Sequence, residues 1–141
     1  DCSDVASGGA ATFVKSDDVE FAGRFEEWCG ERGIDPAIDL LFIDTSHEHE
    51  HTVQEIEHWF PLLSPHATVF LHDTNLWETY RRNNGSMGRG WDNERGVIRA
   101  LEKYFGKTFD ETRDFISFAN GWVIRHYHTC NGFTILQRVF P

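Results

Sequence analysis

The sequence predicts an α/β fold with a mostly parallel sheet and an antiparallel hairpin at its C-terminal end. Its central feature is an apolar run at residues 38–43, an amphipathic segment at 52–63 and a second apolar run at 68–71. Short apolar runs on either side of a helix of period 3.6 indicate a β-α-β unit, whose two strands are parallel and buried. A second observation is Asn131-Gly132 between two runs of strand type, which is typical of a hairpin.

The remaining elements follow from the same patterns. Residues 11–15 form a strand candidate, and the polar residues after it can cap a helix that runs to Gly33. A third helix is expected from about Asn93 to Gly106, because apolar residues recur there with helical period. The tail is expected to form three short strands, at residues 115–118, 122–127 and 133–139.

The segment at residues 75–95 has no period of either kind, so we interpret it as a flap. Long connections without structure of their own are often functional, and this one follows the strand that carries His72. Several of its side chains are candidates for shaping an acceptor pocket, namely Trp77, Tyr80, Arg89 and Trp91. The alternative is that these aromatic residues simply pack against the domain.

Composition and charge indicate a single domain and argue against some kinds of partner. With 141 residues and 40% hydrophobic content, the chain is expected to form one domain over residues 1–141. A formal net charge of -10 argues against a nucleic-acid partner, because such partners are bound through clustered Lys and Arg. The three widely spaced cysteines favour reduced thiols in a cytoplasmic protein, and no apolar run indicates a membrane partner. Because the first residue is Asp1, we expect the chain to be part of something longer.

Four side chains suited to metal binding or proton transfer stand at the ends of the two predicted parallel strands. Asp44 and His47 follow the first strand, and His72 and Asp73 end the second. Both strands end on the same edge of the sheet, which is where open α/β sheets bind ligands. Carboxylates suit hard cations and imidazoles suit transition ions, so Asp44, His72 and Asp73 are predicted to bind a divalent metal, with His47 as a general base. The alternative is that Asp44 and Asp73 cap local turns and that His47 is an ordinary loop histidine.

A competing motif overlaps the first strand end. Residues 47–51, His-Glu-His-Glu-His, satisfy H-E-x-x-H, in which two histidines one helical turn apart bind zinc and the glutamate activates water. That motif requires a helix, whereas His47 follows the strand too closely to lie inside one. We therefore treat the zinc-protease interpretation as the weaker one.

Three segments together resemble the second half of a class I S-adenosylmethionine-dependent methyltransferase. They are residues 39–47 (DLLFIDTSH), 59–65 (WFPLLSP) and 68–74 (TVFLHDT). The most similar subgroup includes small-molecule and sugar O-methyltransferases and cephalosporin-hydroxylase-like proteins. The resemblance implies a Rossmann-like sheet, S-adenosylmethionine as cofactor, and a small-molecule or sugar hydroxyl as acceptor. Assembly into a homo-oligomer is compatible with it.

The resemblance also implies roles for residues at the strand ends. Asp44 and Asp73 match the acids that hold a divalent cation, usually magnesium, in the metal-dependent members. His72 stands where many members have a second acid, which leaves room for another ion. His47 matches a histidine proposed to deprotonate the acceptor, with Asp44 as the other candidate, and Ser46 stands where relatives often carry an Asp.

The cofactor side of the resemblance is incomplete. Asp17, Asp18 and Val19 fall where the family's third strand ends against the adenine, and Asp44 is a further cofactor candidate. The family's glycine-rich loop and first two strands have no counterpart before Thr12, and Gly8-Gly9 is not preceded by a strand. Two alternatives therefore remain. One is a metal-dependent hydrolase or oxygenase that uses His47, His51 or His72, and the other is a non-catalytic remnant.

Overall fold

The computed structural model describes residues 11–76, 79–82, 84–89 and 95–139, without the side chains of Tyr80 and Arg89. The helices are α1 (Asp18–Ala22), α2 (Phe25–Gly30), α3 (His49–Trp59) and α4 (Gly96–Phe105), and a 3-10 turn at Phe60–Leu62 follows α3. The strands are β1 (Ile38–Ile43), β2 (Leu63–His72), β3 (Thr79–Arg81), β4 (Met87–Arg89), β5 (Phe115–Ala119), β6 (Trp122–Tyr127) and β7 (Phe133–Arg138). Trp77 and Trp91 of the predicted flap lie outside the described residues.

The predicted β-α-β unit is present. β1 and β2 are parallel neighbours, with Ile43 opposite Leu71, and α3 lies between them in the chain. β1 has the predicted bounds, whereas α3 begins at His49 rather than at residue 52 and β2 begins at Leu63 rather than at residue 68. β2 tolerates Pro65 because β7 pairs only with its later part, from Thr68 onward, so no bond to β7 is lost there.

The prediction of a mostly parallel sheet was wrong. The described five-stranded sheet has the order β1-β2-β7-β6-β5, and only the β1–β2 pair is parallel. β7 lies antiparallel to both β2 and β6, and β5 lies antiparallel to β6. The short connections after β5 and β6 explain the β5–β6 and β6–β7 pairs, because a connection of a few residues can join only antiparallel strands.

The hydrophobic core lies on one face of the sheet, under α3 and α4. Buried side chains from both helices meet those of the strands, including Ile56, Leu71, Leu101 and Leu136. The other face is apolar but open in the described part of the chain, with exposed side chains at Leu40, Phe42, Ile116 and Phe118. The core therefore fixes β1 and β2, and with them the edge that carries the site.

The first elements differ from the prediction. Residues 11–15 do not form a strand, and Phe13 is exposed, because no described strand pairs with this segment. The single helix expected as far as Gly33 is two short helices, α1 and α2, which separate at Gly23 and Arg24.

The segment predicted to be a flap has some regular structure. β3 and β4 form a separate antiparallel pair within residues 75–95, so this segment is not irregular throughout. The third predicted helix is α4, which begins at Gly96, later than predicted, and is followed directly by the predicted stop residue Gly106 as its C-cap. No described helix combines the length and apolarity needed to cross a bilayer.

Candidate metal and acceptor site

The structure brings Asp44, His47, His72 and Asp73 together at the shared edge of β1 and β2. Asp44 directly follows β1, His72 is the last residue of β2, and Asp73 comes next. Because Ile43 is opposite Leu71, the residues after them lie at the same level of the sheet. Each of the four side chains offers one ligand atom, and these atoms lie within 4.8 Å of one another. The expected geometry is present, and the roles of these residues remain predictions.

The contacts inside this cluster are all between an imidazole and a carboxylate. Nε2 of His47 lies 3.1 Å from Oδ1 of Asp44 and 3.5 Å from Oδ2 of Asp73. Nδ1 of His72 lies 3.4 Å from Oδ1 of Asp44 and 3.1 Å from Oδ1 of Asp73. His47 and Asp73 are largely buried, whereas Asp44 and His72 are partly exposed to solvent. The cluster is therefore open on one side, where a substrate can approach.

Two of these residues have a left-handed backbone. His47 has φ 60° and Asp73 has φ 53°. Such values are uncommon for residues other than glycine, and they accumulate at functional sites, where the surrounding structure holds them in place. Both residues contribute a ligand atom to the cluster.

Three buried atoms of the cluster have no hydrogen-bond partner in the described part of the chain: His47 Nδ1, His72 Nδ1 and Asp73 Oδ1. His72 Nδ1 and Asp73 Oδ1 are close to each other but do not have hydrogen-bond geometry. Buried polar atoms are normally satisfied, so these atoms call for a further ligand. A cation between His72 and Asp73 would use the lone pairs of both.

A buried network supports the cluster from beneath. Thr74, next to Asp73, accepts a hydrogen bond from Thr134 at 2.9 Å, and both hydroxyls lie near Nδ1 of His126. Nε2 of His126 lies 3.0 Å from the carbonyl oxygen of Glu111. Burial lowers the pKa of His126, so it is held as a neutral hydrogen-bonding group. His126 thus packs in the interior as part of this polar network.

The turn between β6 and β7 also holds the strand end. The backbone N–H groups of Thr74 and Asn75 donate to the carbonyl oxygens of Gly132 and Asn131. Gly132 has φ 87°, and a Cβ placed there would lie 2.3 Å from the nitrogen of Asn75. Only glycine fits this approach, which couples the hairpin to the residues after Asp73.

The cofactor candidates of the N-terminal part lie elsewhere. Asp17 caps α1 by accepting a hydrogen bond from the backbone N–H of Glu20 at 2.9 Å. Asp18 pairs with His51, not with the strand-end cluster, and Val19 lies within α1. The structure therefore does not bring Asp17, Asp18 and Val19 into the cluster that contains Asp44.

A second group of side chains was not predicted from the sequence. Asp18, His51 and Glu55 offer ligand atoms within 4.8 Å of one another. His51 and Glu55 stand one helical turn apart on α3, a spacing that the sequence displays, but the arrival of Asp18 depends on how α1 packs. Burial raises the pKa of Glu55 to about 8, against a lowering effect of the Thr45 hydrogen bond and with a further rise from Asp18.

The positions of His47 and His51 contradict the zinc-protease interpretation. His47 precedes α3, which begins at His49, and it contacts Asp44 and Asp73. His51 contacts Asp18 instead. The two histidines of the motif thus belong to different groups.

The fold and the strand-end cluster define an α/β domain with carboxylates and imidazoles at the edge of a β-α-β unit. Residues 5–74, about half of the chain, match a family described as "Methyltransferase domain". This match confirms the resemblance to class I S-adenosylmethionine-dependent methyltransferases and does not decide the subgroup. The matched part contains β1, α3, β2 and all four residues of the cluster.

A relative in Sinorhizobium fredii, "Uncharacterized protein y4gI", is 39% identical over 44 residues. The similar segment is 31% of this chain and 5% of that protein. The chain thus spans only a small part of the relative.

Proposed function

We propose that the chain is the metal- and acceptor-binding part of an S-adenosylmethionine-dependent O-methyltransferase that acts on a hydroxyl of a small molecule or sugar. One observation carries this proposal: two carboxylates and two imidazoles converge at the strand edge of a chain that matches a methyltransferase domain. The edge is where open α/β sheets bind ligands.

The cluster fits a divalent cation. Asp44, His72 and Asp73 would hold it, since their ligand atoms face one another and two of them lack a hydrogen-bond partner. Magnesium, which the resemblance implies, prefers oxygen ligands and water, whereas imidazole suits zinc or iron, and carboxylates also suit manganese. The donor set thus favours a transition ion over magnesium.

The described residues fit only part of a cofactor site. Asp17 keeps acceptor capacity after it caps α1, because a carboxylate has about four lone-pair positions. No glycine-rich turn joins a strand to a helix before β1 in the described part of the chain. Asp17 and its neighbours could therefore hold the adenine edge, and they cannot hold the whole cofactor.

When bound, the cation would polarise the acceptor hydroxyl, and S-adenosylmethionine would supply an electrophilic methyl group. His47 would take the hydroxyl proton on Nε2, and Asp44 and Asp73 would stabilise the resulting imidazolium from 3.1 and 3.5 Å. Nε2 cannot accept a proton while it donates to these carboxylates. His47 is therefore the base only in the tautomer that carries its proton on Nδ1.

Calorimetry with S-adenosylmethionine and with Mn²⁺ tests the proposal. We expect the chain to bind Mn²⁺, and Asp73→Ala to lose the ion held at the strand end together with metal-dependent activity. Glu26→Ala, which removes an exposed carboxylate on α2, is the control and should bind as the original chain does. Binding of S-adenosylmethionine would exclude a non-catalytic remnant, and an Asp73→Ala variant that binds as much Mn²⁺ as the original chain would overturn the proposal.

A second measurement tests the role of His47. If it is the base, His47→Gln should lower kcat by a factor of roughly 10² to 10⁴ while Mn²⁺ affinity is retained. A loss of Mn²⁺ affinity with little change in kcat at saturating metal would instead make His47 a metal ligand.

The two imidazoles also favour a second candidate, a metal-dependent hydrolase or oxygenase. Metal analysis of the purified protein separates the two. Bound zinc or iron without S-adenosylmethionine binding would support the second candidate.

A further inference from the structure

A second group of possible ligands joins α1 to α3, apart from the strand-end cluster. Nε2 of His51 lies 3.0 Å from Oδ1 of Asp18 and 3.9 Å from Oε1 of Glu55. We propose that Asp18, His51 and Glu55 form a second divalent-cation site, suited to zinc or a similar transition ion. None of its residues belongs to the strand-end cluster, so the two sites can be tested separately.

Glu55 supplies an observation that points to a ligand. Its side chain is 1% exposed, and its Oε2 is buried with no hydrogen-bond partner among the described residues. Its other oxygen accepts a hydrogen bond from Thr45 at 2.7 Å. Within the described part of the chain, no Lys or Arg forms an ion pair with Glu55 or Asp18. Two neighbouring carboxylates, one of them buried, are stable together only if something positive lies between them or a proton neutralises one of them.

The geometry fits one ion. Ligands of zinc lie about 2.0 to 2.2 Å from the metal, so two ligand atoms of one ion are at most roughly 4 Å apart. The separations of 3.0 and 3.9 Å from His51 fall inside that limit, and all three ligand atoms lie within 4.8 Å of one another. His51 and Glu55 lie on the same face of α3, four residues apart, and thus can both reach the same ion.

The chemistry of the three ligands selects the ion. One imidazole and two carboxylates suit zinc or manganese, whereas magnesium favours an all-oxygen set. Asp18 and His51 are partly exposed, which leaves a route for the ion and room for a water ligand. The site has three protein ligands and one open position.

The consequence of this site is a link between distant parts of the chain. α1 already lies against α3 through Phe21 and Trp59, whose ring centres are 6.1 Å apart. An ion bound by Asp18 and by two residues of α3 would fasten α1 to the crossover helix. That link would hold Asp17 and its neighbours, the candidates for the adenine edge, in one place.

Zinc stoichiometry of the full chain tests the proposal. After equilibration with Zn²⁺ and removal of free metal, elemental analysis is expected to show that Glu55→Gln and His51→Gln each lose one bound ion per chain. The control is His58→Gln, which removes an exposed histidine of the same helix and should change nothing. Equal zinc content in the original chain, Glu55→Gln and His51→Gln would overturn the proposal.

Two further measurements keep this test separate from the proposed function. Asp73→Ala should lose only the strand-end ion, so failure of one site leaves the other measurable. In the original chain, the ring resonances of His51, assigned with His51→Gln, should shift on zinc addition while those of His58 stay in place. If the His51 resonances do not shift, the second site does not exist, even if Glu55→Gln fails to fold.

Discussion

Glu55→Gln in the metal-free protein is expected to stabilise the fold at alkaline pH and to leave it almost unchanged at acidic pH. Burial raises the pKa of Glu55 from 4.5 to about 8 in the folded chain. Between these two values the unfolded chain gives up its proton while the folded chain keeps it. The free energy of unfolding of the original protein therefore decreases as the pH rises from 4.5 to about 8, and it decreases no further above that pH.

The magnitude follows from the same difference in pKa. Each unit is worth about 1.4 kcal/mol, so a rise from 4.5 to about 8 gives an upper bound of roughly 5 kcal/mol. Glutamine has nearly the same shape as glutamate and no charge, so Glu55→Gln does not lose stability through ionisation of this side chain as the pH rises. The free energy of unfolding of Glu55→Gln minus that of the original chain should thus grow with pH towards that bound.

Urea unfolding with a chelator present, measured from pH 4.5 to above pH 8, gives this difference directly. Glu57→Gln is the matched control, because Glu57 lies on the same helix with an exposed side chain. Its difference from the original chain should be much smaller than that of Glu55→Gln, because the side chain of Glu57 is exposed. A Glu55→Gln difference that varies by less than about 1 kcal/mol over the window would refute the reasoning.

Two further predictions concern the elements that hold the strand end. Leu71→Ala should lower the free energy of unfolding by about 2 to 5 kcal/mol, because Leu71 is fully buried. Leu40→Ala should change it by less than about 1 kcal/mol, because Leu40 is exposed. Gly132→Ala should lower the free energy of unfolding by more than about 1 kcal/mol, because alanine disfavours φ 87° and its Cβ would meet Asn75. Gly30→Ala should be nearly neutral, because a Cβ at Gly30 meets nothing within 4 Å. Urea unfolding measures all four variants, and equal losses within either pair would contradict the packing described here.

Local sequence pattern predicted the elements well where each has a strong pattern of its own. β1 is an apolar run interrupted only by Asp39, and its bounds were predicted correctly. Residues 11–15 also have strand composition, but a strand requires a neighbour, and the described chain offers none there. The start of α3 was predicted too late because His49, Glu50 and His51 carry no apolar period.

The candidate site was predictable to the extent that it depends on parallel strands. Two strands of one β-α-β unit must end on the same edge, so the meeting of Asp44 with His72 and Asp73 followed from the pattern. The group formed by Asp18, His51 and Glu55 did not follow, because Asp18 lies 33 residues from His51 in the chain. No local signal predicts that α1 folds back onto α3.

By itself the sequence determined the β-α-β unit, the C-terminal hairpin and the four strand-end residues, because periodicity and turn chemistry act over a few neighbouring residues. The tertiary structure alone decided three things. They are the pairing of β7 with β2, the left-handed backbone of His47 and Asp73, and the placement of Asp18 beside Glu55. Each of these depends on contacts between residues far apart in the chain, which form only when the sheet and helices pack together.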